Sequence, residues 1–589
     1  MQTIGALQRY IKDNGGIVAA TRKVARLSWM LLRTVGVSAL TAEIRNTLRI
    51  RRVQVALLRR KKMLASLARK KEVTILATPH TMYVAYMLSY GLSQAGFRVS
   101  IVTSPPAVGY GEDIHIVICP QMFAKLPVHM VAFQMEQSIS PRWFTKSYLK
   151  LLRDSLAVLD YSRTNIEFLT QQGIPYGNIF YVPIMPIPGY LNFLSSRGLS
   201  FDRDGEKAYD VLFYGDVNNQ RRQMMLGELS KRFDVKIVGN LFGAKLYEYM
   251  LRARVVVNIH YYENALLETT RICECLSLGI PIVSESSLDR ADYPDLELLV
   301  RFVEVGDAAA MIEAVENILG AGDAPPTAQV RTSPPGDVEA ADPSFHLNRF
   351  LLAHGLTDLD VLFEHPALPP RFATGRICLS LPETGARRAS FLSRGLAGYE
   401  VFDGLRNAQS WIGCGLSYKY LLKRAKNVGL RQVLICEDDV VIDRESDAAL
   451  SVVESYLASL NGGWDVFVGL IAHLHTDAKV SHVEEFGGMT FVHLDKMTSM
   501  VLNIYHHSIF DLLIAWDESN EDPKTNTIDR YLEGIENLRV ITALPFIAGH
   551  SEEDASTLWG FGNKQYAGLI SGSQALLEQK VGAFLKSRH

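Results

Sequence analysis

Short apolar runs rich in Val and Ile recur from Glu72 onward, each followed by a stretch of mixed polarity long enough for a helix. Val73-Thr-Ile-Leu-Ala-Thr, Phe97-Arg-Val-Ser-Ile-Val-Thr, Ile114-His-Ile-Val-Ile-Cys, the run from Val131, the run from Ser155 and the run from Asn178 read as strands, with a helix from Met82 to Ala95 stopped by Gly96. This alternation predicts a parallel, right-handed, doubly wound sheet. Three prolines between Val182 and Gly189 break the series and predict a crossover into a second lobe. There the runs from Tyr209, Phe233 and Val255 and the one after Gly279-Ile-Pro281 repeat the pattern. The lobes are expected over residues 72–190 and 191–320. Gly, Ala and Pro dominate the next stretch, so 321–372 reads as a linker and helical tail. A third domain is expected over 373–589. It has strands near Gly375, Gln432, Trp464 and Val540, a helix opened by Gly413-Cys-Gly-Leu-Ser417, and a short helix at Thr527. Upstream, Val24 to Val37 has apolar spacing near that of a helix, with Trp29, Met30, Leu31 and Leu32 as a stripe, so residues 1–71 read as two or three helices.

At 589 residues the chain is too long for one core. Its 48% hydrophobic and 21% charged content is that of an ordinary globular protein. The six cysteines are scattered, and Cys273-x-Cys275 has no second pair, which argues against zinc and for reduced thiols in a cytosolic setting. No cleavable signal peptide is read, and no charge-free run is long enough for a membrane span. The net charge of −2 hides an asymmetry. Residues 1–71 hold 17 Lys and Arg against Asp13 and Glu43 alone. A basic amphipathic region of this kind can lie on an anionic membrane surface, or be a solvated helical pair packed on its own domain. With no recognition motif beside the charge, nucleic acid is not expected.

The chemistry concentrates at Gln432-Val-Leu-Ile-Cys-Glu437-Asp438-Asp439, where an apolar strand ends in three acids. Ionised carboxylates are costly to bury alone, so solvent, a basic partner or a metal ion is implied. Strand alternation would put Glu437 and Asp439 on one side and Asp438 on the other. A divalent cation with oxygen ligands suits that pair; an acidic loop is the other reading. In the second lobe, the strand from Tyr209 runs through Gly215 to Arg221 and Arg222, a strand–turn–helix that can hold phosphate. Arg271 and Glu274 lie one helical turn apart, as site residues or as a surface ion pair. In the first lobe His80 and Glu136 follow strands, with structural roles as the alternative. There is no Gly-x-Gly-x-x-Gly after the first strand, against a dinucleotide-binding oxidoreductase or epimerase.

Residues 72–320 resemble the two-lobed GT-B glycosyltransferases, through Arg271-x-x-Glu274 and the Gly279-x-Pro281 turn before a hydrophobic strand. The resemblance implies a nucleotide-sugar between the lobes, near Gly215, with Glu274 on ribose or sugar hydroxyls and Arg271 or Arg221 on the diphosphate. Residues 373–560 resemble glycosyltransferase family 25, whose bacterial members build lipopolysaccharide and whose animal relatives galactosylate collagen. The features are a strand followed by Arg387-Arg388, the Gly-Cys-x-x-Ser417 helix start, the acidic triplet, a late Asp529 and a Ser-containing final loop. Where that family has His after the serine, this chain has Tyr418. The resemblance implies a GT-A-like fold and inverting transfer. Mn²⁺ or Mg²⁺ would be held by Asp439, Glu437 and His550, with His550 as a loop histidine otherwise. Asp529 would be the general base, or share an N-cap role with Thr527. Arg387, Arg388, Ser417 and Asp438 would contact the nucleotide-sugar, one of the arginines being otherwise a surface residue.

The expectation is therefore an α/β chain of two Rossmann-like lobes, then a GT-A-like domain, with a basic helical N-terminus. It would act as a dual glycosyltransferase on a growing surface glycan or lipid-linked glycan, with UDP-hexose as the family's donor. It would be cytoplasmic, or peripheral on the cytoplasmic face of the inner membrane. The alternatives are catalysis by the C-terminal module alone, with the first two lobes docking the acceptor, and a non-catalytic scaffold.

Overall fold

The computed structural model describes residues 49–320, 344–363 and 369–587, apart from 204, 397, 443, 555 and 559–561. The chain divides into two compact units, Met1–Arg59 and Arg60–His589. Of the first, residues 49–59 are described and are helical; the Trp29 stripe lies outside the described residues.

The larger unit contains three main sheets. The first is built of β1 (Glu72–Leu76), β2 (Arg98–Val102), β3 (Ile114–Ile118), β4 (Val131–Gln134), β5 (Ala157–Asp160) and β6 (Ile179–Tyr181), in the order β2-β1-β3-β4-β5-β6. The second is built of β7 (Tyr209–Tyr214), β8 (Val235–Val238), β9 (Ala253–Asn258), β10 (Ile282–Glu285) and β11 (Arg301–Val303), in the order β11-β10-β9-β7-β8. All pairings in both are parallel. The two Rossmann-like lobes expected from the alternating runs are therefore present. Runs such as Ile114–Ile118 are buried at every position, as strands covered on both faces must be.

The third sheet is mixed. It contains β12 (Arg376–Ser380), β13 (Tyr399–Asp403), β14 (Gln432–Glu437), β16 (Val466–Val468), β17 (Val480–Phe486), β18 (Met489–Leu494), β19 (Leu502–His506) and β20 (Val540–Leu544), in the order β13-β12-β14-β19-β16-β20-β18-β17. Two short strands, β15 (Val440–Val441) and β21 (Gly549–His550), pair apart from it. Several features go beyond the expected elements, the following two among them. Gly487-Gly488 joins β17 to β18 as a hairpin, and a long helix, Lys564–Lys586, follows the last strand.

In each main sheet the first strand lies between the second and the third. This creates a topological switch point, outside whose carboxyl ends α/β sheets bind ligands. The three switch points are β1/β3, β7/β9 and β12/β14.

The helix Ser344–Ala353 binds the modules together. Leu347, Phe350 and Leu351 belong to the core of the first two sheets, and Phe345 and Leu352 to that of the third. It approaches the helix Met82–Gln94 so closely that a Cβ on Gly91 would meet Leu347 Cδ2 at 2.8 Å. Beside it, Arg349 and Glu383, both fully buried, form a bidentate pair at 3.2 Å on each arm. Glu383 also accepts from the Tyr181 amide at the end of β6 (3.0 Å). Arg406 donates to the carbonyls of Ile179 and Tyr176 and lies over the Phe180 ring at 4.1 Å.

Candidate functional site

The acidic triplet stands at the β12/β14 switch point. β14 ends at Glu437, so strand alternation does not extend to the next two residues, which turn. Arg387, in the helix after β12, consequently reaches both aspartates, with Asp438 Oδ1 and Asp439 Oδ2 (2.8 Å) on the same Nη2. The other oxygen of Asp438 accepts from Ser380 Oγ (2.8 Å), at the carboxyl end of β12. Pairing of β15 with β21 puts His550 opposite Val440, and His550 Nε2 lies 3.4 Å from Asp439 Oδ2. Asn563 Nδ2 donates to that same oxygen at 2.9 Å. Asp439 Oδ1 is buried without a hydrogen-bond partner among the described residues. Glu437 is half-buried, with Cys414 Sγ 3.8 Å from Oε1. Asp529 stands half-buried in the first turn of the helix Ile528–Glu533, near enough for its charge to act on Glu437.

Glu437, Asp438 and Asp439 thus crowd around one arginine, with His550 beside Asp439 and Asp529 acting on Glu437. Burial, then the charge of Asp439, pushes Glu437 up to about 8. Asp439 is held below the usual range although burial opposes this, because His550 and Arg387 favour its charged form. One proton-holding acid beside one ionised acid is the pattern expected when like charges are crowded.

Several of the expected site residues are engaged by neighbouring side chains and backbone. Arg388 turns away from the triplet to Asp403, which also faces His346 Nε2 at 2.7 Å. Ser417 is buried inside the helix Ser410–Asn427; its hydroxyl donates its one proton to Gly413 O and accepts from the Leu405 amide, both at 2.8 Å. Asp438 has both oxygens engaged and is 4% exposed, which makes it an anchor for Arg387 rather than an open contact. Thr527 is the N-cap residue of its helix but makes no side-chain cap bond, and Asp529 accepts from the neighbouring Arg530 amide at 2.8 Å. The glycines before Ser417 have a steric cause. A Cβ on Gly413 would meet Arg406 Cα at 3.0 Å, and one on Gly415 would meet the Trp516 ring at 2.5 Å. Tyr418 is fully buried and donates to Met500 O (3.0 Å).

The second cluster stands at the β7/β9 switch point. Gly215 follows β7 with φ +133°, and a Cβ there would lie 3.1 Å from Arg271 Nη2. Arg271 does not form a surface pair with Glu274. It pairs with Glu268 at 2.7 Å and donates to Asn258 at the end of β9. Burial opposes ionisation of Glu268, but Arg271, His260 and Arg222 outweigh it and lower its pKa to about 2. Glu274 accepts from Tyr214 Oη (3.0 Å), and burial raises it to about 7. Arg221 is held by Glu285. Between the lobes, the Gln137 side chain makes two bonds to the Leu266 backbone, at 3.2 and 3.1 Å. Arg163 pairs with Asp292 at 3.2 Å. Of the first-lobe candidates, Glu136 accepts from Gln121 (2.7 Å), and exposed His80 faces Phe242 of the second lobe.

The residues that sequence reasoning missed are Asn563, Ser380, Glu268 and Asn258. Glu268 alone carried a signal, being one helical turn before Arg271.

Together these features define a three-sheet α/β protein with charged clusters at two switch points. No family model matches the chain, and no curated protein sequence matches it. Among solved structures 48 chains match. Sucrose-phosphate synthase from Thermosynechococcus elongatus is 12% identical over 42% of this chain and 90% of its own, with a TM-score of 0.26. Anabaena HepE in complex with UDP and glucose is 12% identical over 50% of this chain and 98% of its own, with a TM-score of 0.27. A glycosyltransferase from Rickettsia africae is 9% identical over 45% and 92%, with a TM-score of 0.26. At this identity and TM-score the likeness carries no argument about activity; the fold stands on strand order and direction. Among the described residues no helix is long and apolar enough to cross a membrane.

Proposed function

We propose that the chain is a nucleotide-sugar-dependent glycosyltransferase whose sugar transfer takes place at the acidic cluster of the third sheet. The observation that carries this reading is the crowding of Glu437, Asp438 and Asp439 at a switch point, with Asp529 acting on Glu437, countered among the described residues by Arg387 and His550. Such a cluster calls for a further cation near the buried Asp439 Oδ1, although among the described residues no three of His, Cys, Asp and Glu are disposed to hold a metal ion. Asp439, with Glu437 and His550 beside it, would hold Mn²⁺ or Mg²⁺, which supplies Lewis-acid neutralisation of a leaving diphosphate. Asp529 accepts the proton of the acceptor hydroxyl. That oxygen forms the new bond to the anomeric carbon as the bond to the diphosphate breaks, and the nucleoside diphosphate leaves with the electron pair. Arg387, anchored by Asp438, would meet the diphosphate.

The finer reading is dual transfer to a surface or lipid-linked glycan, with UDP-hexose donors, a second donor site around Gly215, Arg271 and Glu274, and residues 1–71 touching an anionic membrane. A second reading is favoured by one observation: Arg271 and Arg221 are already neutralised by Glu268 and Glu285. In that reading the first two sheets dock the acceptor, and only the third module is catalytic.

The test is nucleotide release from UDP-, GDP- and CMP-sugars with Mn²⁺ or EDTA, for wild type, Asp439→Ala and Glu274→Ala. Metal-dependent release lost in Asp439→Ala supports the reading. Loss in Glu274→Ala of turnover on one donor only supports dual transfer, and its full retention supports the docking role. Metal-independent release that survives Asp439→Ala overturns the acidic-cluster assignment.

A further inference from the structure

We propose that Tyr176, a residue of the first lobe, is a positioning residue for the acidic cluster of the third module. The role rests on the reading above that transfer takes place at that cluster, and it makes the first lobe part of the third module's working site.

Among the described strands β6 ends the first sheet, and the third module closes its outer edge. Glu383 accepts from the Tyr181 amide (3.0 Å), and two residues back Arg406 donates to the Ile179 carbonyl. The turn Tyr176–Asn178 precedes the strand and is fixed by the Asn178 amide, which donates to Pro175 O at 2.8 Å. It carries the half-buried Tyr176 across to the third module.

There Tyr176 is held at both ends. Its carbonyl accepts from Arg406 Nη2 (3.1 Å). The backbone of Arg406 lies against the helix Ser410–Asn427, where a Cβ on Gly413 would meet Arg406 Cα at 3.0 Å. The next residue in that helix is Cys414, whose Sγ lies 3.8 Å from Glu437 Oε1. At the other end, the Tyr176 hydroxyl donates to Thr557 O at 2.8 Å, with the Ser410 side chain facing it. Thr557 lies between His550 and Asn563, both of which face Asp439 Oδ2. The same segment begins with the Ser551 amide, which donates to Asp439 O at 2.8 Å. Arg387 is near enough for its charge to act on the phenol. One side chain from another module thus holds the backbone that carries the partners of Asp439 against the approach to the partner of Glu437. Reacting groups displaced by about 1 Å can lose on the order of 100-fold in rate, so this hold bears on transfer itself.

The experiment compares full-length wild type with Tyr176→Phe, which removes the hydroxyl and keeps the ring. The control is Tyr110→Phe, where the lost hydroxyl donates to Lys125 O (2.8 Å) within the first lobe. The readouts are nucleotide release from UDP-, GDP- and CMP-sugars with Mn²⁺, resolved into kcat and KM, amide exchange at Ser551, and the melting midpoint. Tyr176→Phe is expected to lower kcat about tenfold with the donor KM within about twofold of wild type. It is expected to speed exchange at Ser551 and to lower the midpoint no more than Tyr110→Phe does. An unchanged kcat overturns the proposal and leaves the acidic-cluster reading standing, and so does an equal fall in Tyr110→Phe. Unchanged exchange at Ser551 also overturns it, and decides the matter if the wild type turns over no donor of the panel. Release that persists in Asp439→Ala sinks both.

Discussion

Replacing Glu383 with alanine should uncouple the third module from β6. Glu383 is fully buried between Arg349, which is also fully buried, and Arg406. It accepts two arginine bonds and the Tyr181 amide. Removing it leaves two guanidinium groups in the interior with only backbone carbonyls: Gly404 O for Arg349, and Ile179 O and Tyr176 O for Arg406. Breaking one side of a buried pair costs about 3–5 kcal/mol, chiefly because an uncompensated charge stays behind. At about 2–4 °C per kcal/mol for a domain of this size, the melting midpoint should fall on the order of 10 °C. Circular dichroism melts and urea titrations of the full chain would measure it. The cause is checked by a second change. Arg349→Met in the Glu383→Ala background removes the stranded cation and should recover part of the loss, a non-additivity expected of residues in contact. A midpoint for Glu383→Ala within experimental error of wild type would refute the assignment of the joint to this cluster, and so would strict additivity of the two changes.

Three further outcomes are expected. Gly415→Ala should lower stability by about 1–3 kcal/mol although alanine favours helix, because its Cβ would lie 2.5 Å from the buried Trp516 ring; an unchanged or higher midpoint contradicts this. Glu274, raised to about 7 when folded, binds a proton more tightly in the folded chain than in the unfolded one. Its share of stability is therefore present below about pH 4.3 and is lost as pH rises to about 7, on the order of 3 kcal/mol; Glu274→Gln should flatten that part of the stability–pH curve, and an unaltered slope would show the acid to be ionised throughout. EDTA or Asp439→Ala should each abolish nucleotide release at the acidic cluster, read by chromatography of the released nucleoside diphosphate; release persisting under both would place the chemistry elsewhere.

The parallel strands were legible because burial on both faces leaves an unbroken apolar run, as in Ile114–Ile118. β17 was not legible, since Val-Ser-His-Val-Glu-Glu-Phe lies at a sheet edge with much of it exposed and reads as surface. The helix Lys564–Lys586 escaped notice because it buries only Ser573, Leu577 and Val581, too narrow a stripe to stand out. At the sites, local sequence showed the triplet but not what surrounds it. Asn563 is 124 positions from Asp439, and His550 arrives only through a two-residue strand. Arg271 has a glutamate one turn away on either side, so spacing alone was ambiguous; Asn258 on β9 and His260 beyond it draw the arginine and Glu268 together.

The helix Ser344–Ala353 has a practical consequence for anyone who would cut this protein in two. A fragment beginning at Ser344 would carry Leu347, Phe350 and Leu351 uncovered into water, and one ending at Gly320 would lose the side chains that close over Gly91. Gene truncation at the apparent boundary would thus yield two sticky halves, not two reagents. Swapping in a foreign third module would require grafting this helix with the first two sheets and re-tailoring the face that Phe345 and Leu352 present to the third.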